Sequence, residues 1–177
     1  MNRRSLWFAI PLLVFALFVG AALWRLASPP NQTIASKLVG KPLPPFALKP
    51  ALANKPGFGS ADLATGQPRL LNLFASWCVP CIAEAPVMAD LKARGVAVDG
   101  IAIRDAPADI VSFLRERGDG YARIGADPTG QAQISLGASG VPESFLVDGR
   151  GIIRHHHIGA IMPQDVPTIM AEWEKLR

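Results

Sequence analysis

Two cysteines, Cys78 and Cys81, are the residues of this 177-residue chain whose type and spacing are best suited to chemistry. They follow a short apolar run and stand at the predicted start of a helix, with Pro80 between them. Free backbone N–H groups and the helix dipole stabilise a thiolate at such a position, and the thiolate is the form that attacks disulfides. We therefore predict that Cys78 attacks a partner disulfide and that Cys81, one turn further along, resolves the mixed disulfide.

Two other uses of the pair are less consistent with the sequence. A structural bridge that closes a four-residue loop would constrain the unfolded chain very little. A zinc site needs about four ligands, and the sequence has no second cysteine pair. The run His155-His156-His157 would point to alternate faces of a strand, so we predict a solvated strand there and no metal or haem site.

The elements that must position these cysteines are predicted from the hydrophobic pattern. Arg69–Phe74 is typical of a buried strand, and the residues from Val79 to about Arg94 form a predicted helix that Pro86 would kink. A short edge strand is predicted from Phe46 to Leu52. The other predicted elements are strand 96–103, a helix from Pro107, strand 122–126, helix 129–136, strands 143–147 and 152–158 joined at Asp148-Gly149, and helix 166–176. This order predicts an α/β fold, a mixed central sheet with helices on both faces.

The N-terminal segment has a different composition from the rest of the chain. Leu6–Trp24 is a run of nineteen uncharged residues with Arg3 and Arg4 before it and Arg25 after it, and as a helix it would span roughly 28 Å. We predict a single transmembrane helix with a cytoplasmic N-terminus, embedded in the bilayer through residues 6–24. A cleaved signal peptide is the alternative, although its apolar core is usually only about 7–15 residues long. The predicted domains are the anchor 1–27, a proline-rich linker 28–40 and a folded domain 41–177.

The charge balance argues against a protein that binds nucleic acid. The net charge is +4, but three arginines flank the apolar run and the remaining 15 basic residues face 14 acidic ones. Bulk charge therefore provides no basic surface for a polyanion. A hydrophobic content of 50% with 18% charged residues also excludes a disordered chain.

The motifs around the cysteines resemble those of thioredoxin-fold proteins. Trp77–Cys81 and Val141-Pro142 match the two landmarks of that fold, and the resemblance implies a cis Val141–Pro142 bond with Pro142 facing the cysteine pair. The chain is more closely similar to the membrane-anchored cytochrome c biogenesis family of DsbE/CcmG type, over nearly its whole length. The segments that carry this resemblance are 39–46, 70–78, 81–84, 140–148 and 151–154. One departure is Ser139, near which family members often carry tyrosine.

Three polar positions acquire a candidate role from the resemblance. Asn72 stands where ordinary thioredoxins bury a proton-relaying aspartate, and an amide cannot relay protons. The family implies that Glu84 replaces it as the group that accepts a proton from Cys81, the alternative being an exposed acid on a helix face. Glu143 would lie beside the active site, where its charge would raise the thiol pKa and select a basic partner. The alternative for Glu143 is an ordinary acid at the start of a strand.

The same resemblance implies a function and a location. It implies a thiol:disulfide oxidoreductase without a further cofactor that reduces the Cys-x-x-Cys-His haem sites of apocytochrome c. Electrons would come from a membrane thiol–disulfide donor of the DsbD type, and the chain would sit in the bacterial inner membrane with its folded domain in the periplasm. Alternatives that stay open are a general periplasmic thiol reductase or oxidase, a copper chaperone that uses the same cysteine pair, and a membrane-tethered binding module.

Overall fold

The computed structural model describes residues 3–27 and 38–177 of the chain. The chain divides into an N-terminal unit, residues 1–34, and a C-terminal unit, residues 35–177. In the first unit the structure describes one helix, α1 (Arg3–Ala27), so the run Leu6–Trp24 is helical. Within the described residues, however, no helix combines the length and the apolar character needed to cross a membrane. Most of the predicted linker 28–40 lies outside the described residues, which resume at residue 38.

The C-terminal unit contains the strands and helices predicted after Arg69, with ends that differ from the predictions by no more than two residues. Its elements in chain order are β1 (Ala47–Pro50), β2 (Phe58–Gly59), a 3-10 turn (Ser60–Leu63), β3 (Arg69–Phe74), α2 (Val79–Ala93), β4 (Val98–Ile103), α3 (Pro107–Arg117), β5 (Arg123–Asp127), α4 (Gln131–Ser135), β6 (Glu143–Val147), β7 (Ile153–Ile158) and α5 (Val166–Glu174).

The strands form one mixed sheet in the order β2-β1-β5-β4-β3-β6-β7. Strands β3, β4 and β5 run parallel at its centre, β6 is antiparallel to β3, and β7 is antiparallel to β6. The predicted α/β fold with a mixed sheet is therefore confirmed. The predicted turn at Asp148-Gly149 is also confirmed, since Asp148 accepts hydrogen bonds from the backbone N–H groups of Arg150 and Ile152 between the two strands.

The prediction of an edge strand near Phe46–Leu52 is wrong in one respect. The strand exists as β1, but it pairs with β5 on one side and with β2 on the other, so β2 forms the edge. Strand β2 consists of Phe58 and Gly59 alone. Two residues carry no periodic pattern, and for this reason the sequence gives no indication of the outer strand.

Two apolar cores lie on opposite faces of the sheet. Its central strands are therefore buried on both faces, as is typical of parallel strands. In β3, Leu70 and Phe74 contribute to a core that also contains residues of α2, α3 and α5. Leu71 and Leu73, which point the other way, contribute to a core with residues of α4 and the 3-10 turn. Asn72 shares the face of Leu70 and Phe74, so a buried amide lies among the apolar side chains beneath α2.

The register between β3 and β6 brings the two landmark motifs to one end of the sheet. Leu73 pairs with Glu143, and Asn72 pairs with Ser144. Strand β3 leads directly into the cysteine segment, while β6 begins immediately after Pro142. Since the strands are antiparallel, the end of one and the start of the other meet at the same edge.

Candidate active site

The cysteine pair lies at the N-terminus of α2, with Cys78 just before the helix and Cys81 in its first turn, and it forms a disulfide. Cys78 is the N-cap residue, with extended backbone angles of φ −86° and ψ 111°, and the Cα atoms of the two cysteines are 5.2 Å apart. The backbone N–H of Cys81 donates to the Sγ of Cys78 over 3.3 Å. The predicted position at a helix N-terminus is confirmed, and one otherwise unpaired N–H of the first turn points at the sulfur.

Both cysteines of the pair are largely inaccessible to solvent. Cys78 is 5% exposed and Cys81 is 1% exposed, so both side chains are buried. The residues on either side of Cys78 are open to solvent, with Trp77 at 60% and Val79 at 75% exposure. Trp77 and Val79 therefore form an exposed apolar surface next to Cys78.

A carboxylate from the neighbouring strand end fixes the segment that leads into the helix. Asp105, which follows β4, accepts hydrogen bonds from the backbone N–H of Ser76 at 2.6 Å and from its hydroxyl at 2.7 Å. The indole Nε1 of Trp77 donates to the carbonyl oxygen of Arg104 over 3.3 Å. Sequence reasoning missed Asp105, because its contact depends on the parallel pairing of β3 with β4 and not on any local motif.

The Val141–Pro142 bond is cis, as the resemblance implied, and it faces the cysteines. The carbonyl oxygen of Val141 lies 3.4 Å from the Sγ of Cys78. Pro142 is buried behind this contact. The structure thus brings together two segments that are 63 residues apart in the chain.

Glu84 is buried, which rules out the alternative of an exposed acid on a helix face. Its side chain is 1% exposed and lies three residues after Cys81 on the buried face of α2. One carboxylate oxygen accepts the backbone N–H of Ile161 at 2.8 Å, and the other accepts the Nδ2 of Asn72 at 3.1 Å. Residues three apart on a helix are neighbours, so Glu84 and Cys81 share one face.

A buried hydrogen-bond network holds the Asn72 amide in one orientation. The hydroxyl of Tyr121 donates to the Oδ1 of Asn72 at 2.8 Å, while the Nδ2 of Asn72 also donates to the Oγ of Ser144 at 2.9 Å. Burial, followed by the charge of Glu84, raises the pKa of Tyr121 well above its ordinary value, so the phenol remains a donor. Because Tyr121 takes the amide oxygen, the amide nitrogen must point at Glu84.

This environment places the titration of Glu84 in the neutral range. Removal of the carboxylate from water raises the pKa of Glu84 from 4.5 to about 7, and the hydrogen bonds from Ile161 and Asn72 offset only part of that rise. Near pH 7 the carboxyl group is therefore present in both protonation states. Such a group can accept a proton from a neighbouring thiol and return it.

Glu143 is beside the active site, as predicted, but its carboxylate faces inward. The residue is 1% exposed, and its Oε1 accepts three hydrogen bonds, from the N–H and hydroxyl of Ser139 and from the N–H of Gly140. Its Oε2 lies 2.7 Å from the Nε2 of His156. Burial alone would raise the pKa of Glu143, but hydrogen bonds from His156 and Ser139 outweigh it and hold this pKa below the ordinary value. The charge is thus satisfied within the protein and is not presented to a basic partner.

The prediction of a solvated histidine strand is wrong for His156. Its side chain is 5% exposed, and its ring stacks on Phe145 with centroids 4.0 Å apart. His155 and His157 are half-buried, and the Nε2 of His157 lies 3.2 Å from the carbonyl oxygen of Ala160. The predicted alternation is correct, but the face that carries His156 is the face that carries Phe145 and Glu143.

Comparisons with known proteins agree with this arrangement. The sequence matches the Redoxin family over residues 38–171. It is 40% identical to the thiol:disulfide interchange protein DsbE of Escherichia coli (strain K12), over 99% of this chain and 96% of that protein. It is 41% identical to the thiol:disulfide interchange protein HelX of Rhodobacter capsulatus, over 90% of this chain and 89% of that protein. A crystal structure of a thioredoxin-family thiol:disulfide interchange protein from Chlorobium tepidum TLS has the same fold, with a TM-score of 0.60, 23% identity, and 76% and 94% of the two chains covered.

Two cysteines separated by two residues form a disulfide at the start of a helix and lie opposite a cis-proline. Together with the fold, these features define a thiol:disulfide oxidoreductase of thioredoxin-like fold. The chain belongs to the Redoxin family and, within it, to the DsbE-type thiol:disulfide interchange proteins.

The titration of Glu84 predicts how the stability of the oxidised protein depends on pH. The pKa of Glu84 is about 7 in the folded state and 4.5 for the unperturbed group, so the folded state binds more protons between these values. The stability associated with this group is fully present below about pH 4.5 and is lost as the pH rises through 7. A shift of this size corresponds to about 3 kcal/mol.

Urea unfolding of the oxidised protein between pH 4.5 and 8 measures this effect, because the bridged cysteines do not titrate. The wild-type protein should lose stability over this range relative to the Glu84→Gln variant. The Glu116→Gln variant, which changes an exposed acid on α3, is the matched control and should follow the wild-type curve. Parallel curves for the wild type and Glu84→Gln would show that Glu84 has an ordinary pKa.

Proposed function

We propose that this protein reduces the disulfides of Cys-x-x-Cys-His haem sites in apocytochrome c during cytochrome c maturation. The observation that carries the proposal is the pairing, on one helix, of the N-capping Cys78 sulfur with the buried carboxyl group of Glu84, whose pKa is about 7. This arrangement supports disulfide exchange at neutral pH. The choice of substrate is supported by the resemblance of the cysteine, proline and N-terminal motifs to the cytochrome c biogenesis family.

In the first step, the thiolate of Cys78 attacks one sulfur of the substrate disulfide. The S–S bond of the substrate breaks, a mixed disulfide forms with Cys78, and the leaving substrate thiolate takes a proton from solvent. The N–H of Cys81 and the first turn of α2 stabilise negative charge on the attacking sulfur.

In the second step, the sulfur of Cys81 attacks the Sγ of Cys78. Glu84 accepts the proton of the Cys81 thiol, the mixed disulfide breaks, and the second substrate sulfur leaves as a thiolate that is then protonated. Two electrons have passed to the substrate, and the protein holds the Cys78–Cys81 disulfide seen in the structure. A membrane thiol–disulfide donor of the DsbD type reverses these steps and restores the dithiol.

We further propose that residues 1–27 anchor the protein in the bacterial inner membrane, with residues 41–177 as a folded domain in the periplasm. The uncharged run Leu6–Trp24 and its flanking arginines support this location. The periplasm is also an oxidising compartment, in which disulfides of partner proteins form and persist.

A Cys81→Ser variant tests the proposed reaction by stopping it after the first step. Serine keeps the backbone N–H that stabilises the Cys78 sulfur but cannot resolve the mixed disulfide. The reduced variant should form a covalent adduct with an oxidised Cys-x-x-Cys-His peptide, detected by intact mass before and after reduction. A Cys78→Ser variant is the control and should form no such adduct.

Two further comparisons in the same assay separate the alternatives. The rate with the Cys-x-x-Cys-His peptide should exceed the rate with a peptide in which alanine replaces the histidine, and equal rates would favour a general thiol reductase. Titration of the reduced wild-type protein with copper(I) should show no stoichiometric binding. One tightly bound ion per chain would favour a copper chaperone.

Membrane attachment predicts that the full chain remains in the membrane fraction of bacterial cells after an alkaline carbonate wash. A matched variant with Leu13→Arg and Leu17→Arg should be released, because each arginine near the centre of a membrane helix costs about 2.5–3.5 kcal/mol. Release of the unmodified chain by the same wash would contradict the anchor.

A further inference from the structure

A second buried polar cluster lies on the sheet face opposite Glu84, and the proposed steps make no use of it. It consists of Glu143, His156 and the N–H groups of Ser139 and Gly140. We propose that His156 is a positioning residue, which acts through Glu143 to hold the Val141 carbonyl in place for partner disulfides at Cys78. This inference rests on the proposed function, since it concerns the same exchange reaction.

A continuous series of contacts connects His156 with the reactive sulfur. The Nε2 of His156 lies 2.7 Å from the Oε2 of Glu143, and the Oε1 of Glu143 accepts the N–H of Ser139 at 2.7 Å and that of Gly140 at 3.1 Å. The next residue, Val141, places its carbonyl oxygen 3.4 Å from the Sγ of Cys78. Through Gly140, three residues lie between the ring of His156 and the sulfur: Glu143, Gly140 and Val141.

The surroundings of the His156 ring fix its orientation and leave it few hydrogen-bond partners. It is the cross-strand partner of Phe145, on which it stacks at an interplanar angle of 18°. Its Nδ1 is buried and has no hydrogen-bond partner among the described residues. The only hydrogen bond described for the ring is therefore the one that the Nε2 makes with Glu143.

The hydrogen bond from His156 matters for Glu143 because the two carboxylate oxygens have different donors. Oε1 is occupied by three donors of the segment 139–140, whereas the only donor described at Oε2 is His156. Without a donor there, a buried carboxylate oxygen is left unsatisfied, and a buried group in that state either takes a proton or moves. Either response weakens the acceptor that orders residues 139–141.

The exchange reaction depends on this ordering more than simple alkylation does. A disulfide must approach Cys78 along the axis of its own S–S bond, so the reactive sulfur and the adjacent backbone must both be correctly placed. Iodoacetamide needs only an accessible thiolate. The two reagents therefore distinguish a positioning role from a general effect on the thiol or on the fold.

Two variants of similar shape isolate the hydrogen bond. His156→Gln retains an N–H donor near the position of the Nε2, whereas His156→Met has none, and both lose the aromatic ring. His155→Met is the matched control on the same strand, because its position faces the other side of the sheet. Each variant is prepared in the Cys81→Ser background, and its thermal unfolding is measured to confirm that it folds.

The measurement is the second-order rate constant for mixed-disulfide formation at Cys78. This rate constant is measured first with oxidised glutathione and then with the oxidised Cys-x-x-Cys-His peptide. The rate of alkylation by iodoacetamide is measured on the same variants. His156→Met should react with both disulfides about tenfold more slowly than the background protein, with an unchanged alkylation rate. His156→Gln should recover most of the loss, and His155→Met should show none.

The possible failures are distinguishable. Equal disulfide rates for His156→Met and the background protein would overturn the positioning role, as would a parallel fall in the alkylation rate. An equal loss in His156→Gln would show that the ring stack matters and the hydrogen bond does not, and it would also overturn the proposal. Failure of the peptide alone, with normal reaction of glutathione, would count against apocytochrome c as the substrate and leave the test of His156 intact.

Discussion

The hydrogen bond from the N–H of Cys81 to the Sγ of Cys78 is the interaction on which the rest of the site depends. It makes the reactive sulfur the cap of α2, so the charge that forms on this sulfur satisfies a donor that the helix leaves free. The geometry requires strand β3 to end immediately before the turn at Ser76, and Asp105 holds that turn from the neighbouring strand end. Sheet, turn and helix together place one sulfur where an anion is stabilised.

The pKa values of two buried carboxyl groups in this site shift in opposite directions because their surroundings differ. Glu84 is buried on α2, the two donors described for its carboxylate are neutral, and its pKa rises to about 7. Glu143 is equally inaccessible, but four donors surround it, and its pKa falls below the ordinary value. The first group can therefore exchange a proton, while the second stays charged and organises the backbone beside Pro142. Glu84 and Glu143 lie on opposite faces of the sheet, and the cysteine pair follows the end of β3 on the side of Glu84.

Local patterns predicted much of the fold and the chemistry of the cysteine pair, but not the partners of the polar residues. The apolar run Arg69–Phe74 and the cysteine spacing are local signals, and both predictions are confirmed. The contact between Tyr121 and Asn72 spans 49 residues, and that between His156 and Glu143 depends on strand register. A one-residue shift in that register would reverse the face of every side chain, so the sequence alone could not distinguish a solvated histidine from a buried one.

The most direct test of the central claim is alkylation of the reduced protein by iodoacetamide, with each cysteine quantified by mass spectrometry. The thiolate is the nucleophile, and the helix N-terminus stabilises it at Cys78. We predict that at pH 7 Cys78 is modified rapidly and almost exclusively. A Cys78 that is protonated and inert at pH 7, or that reacts no faster than Cys81, would contradict the account.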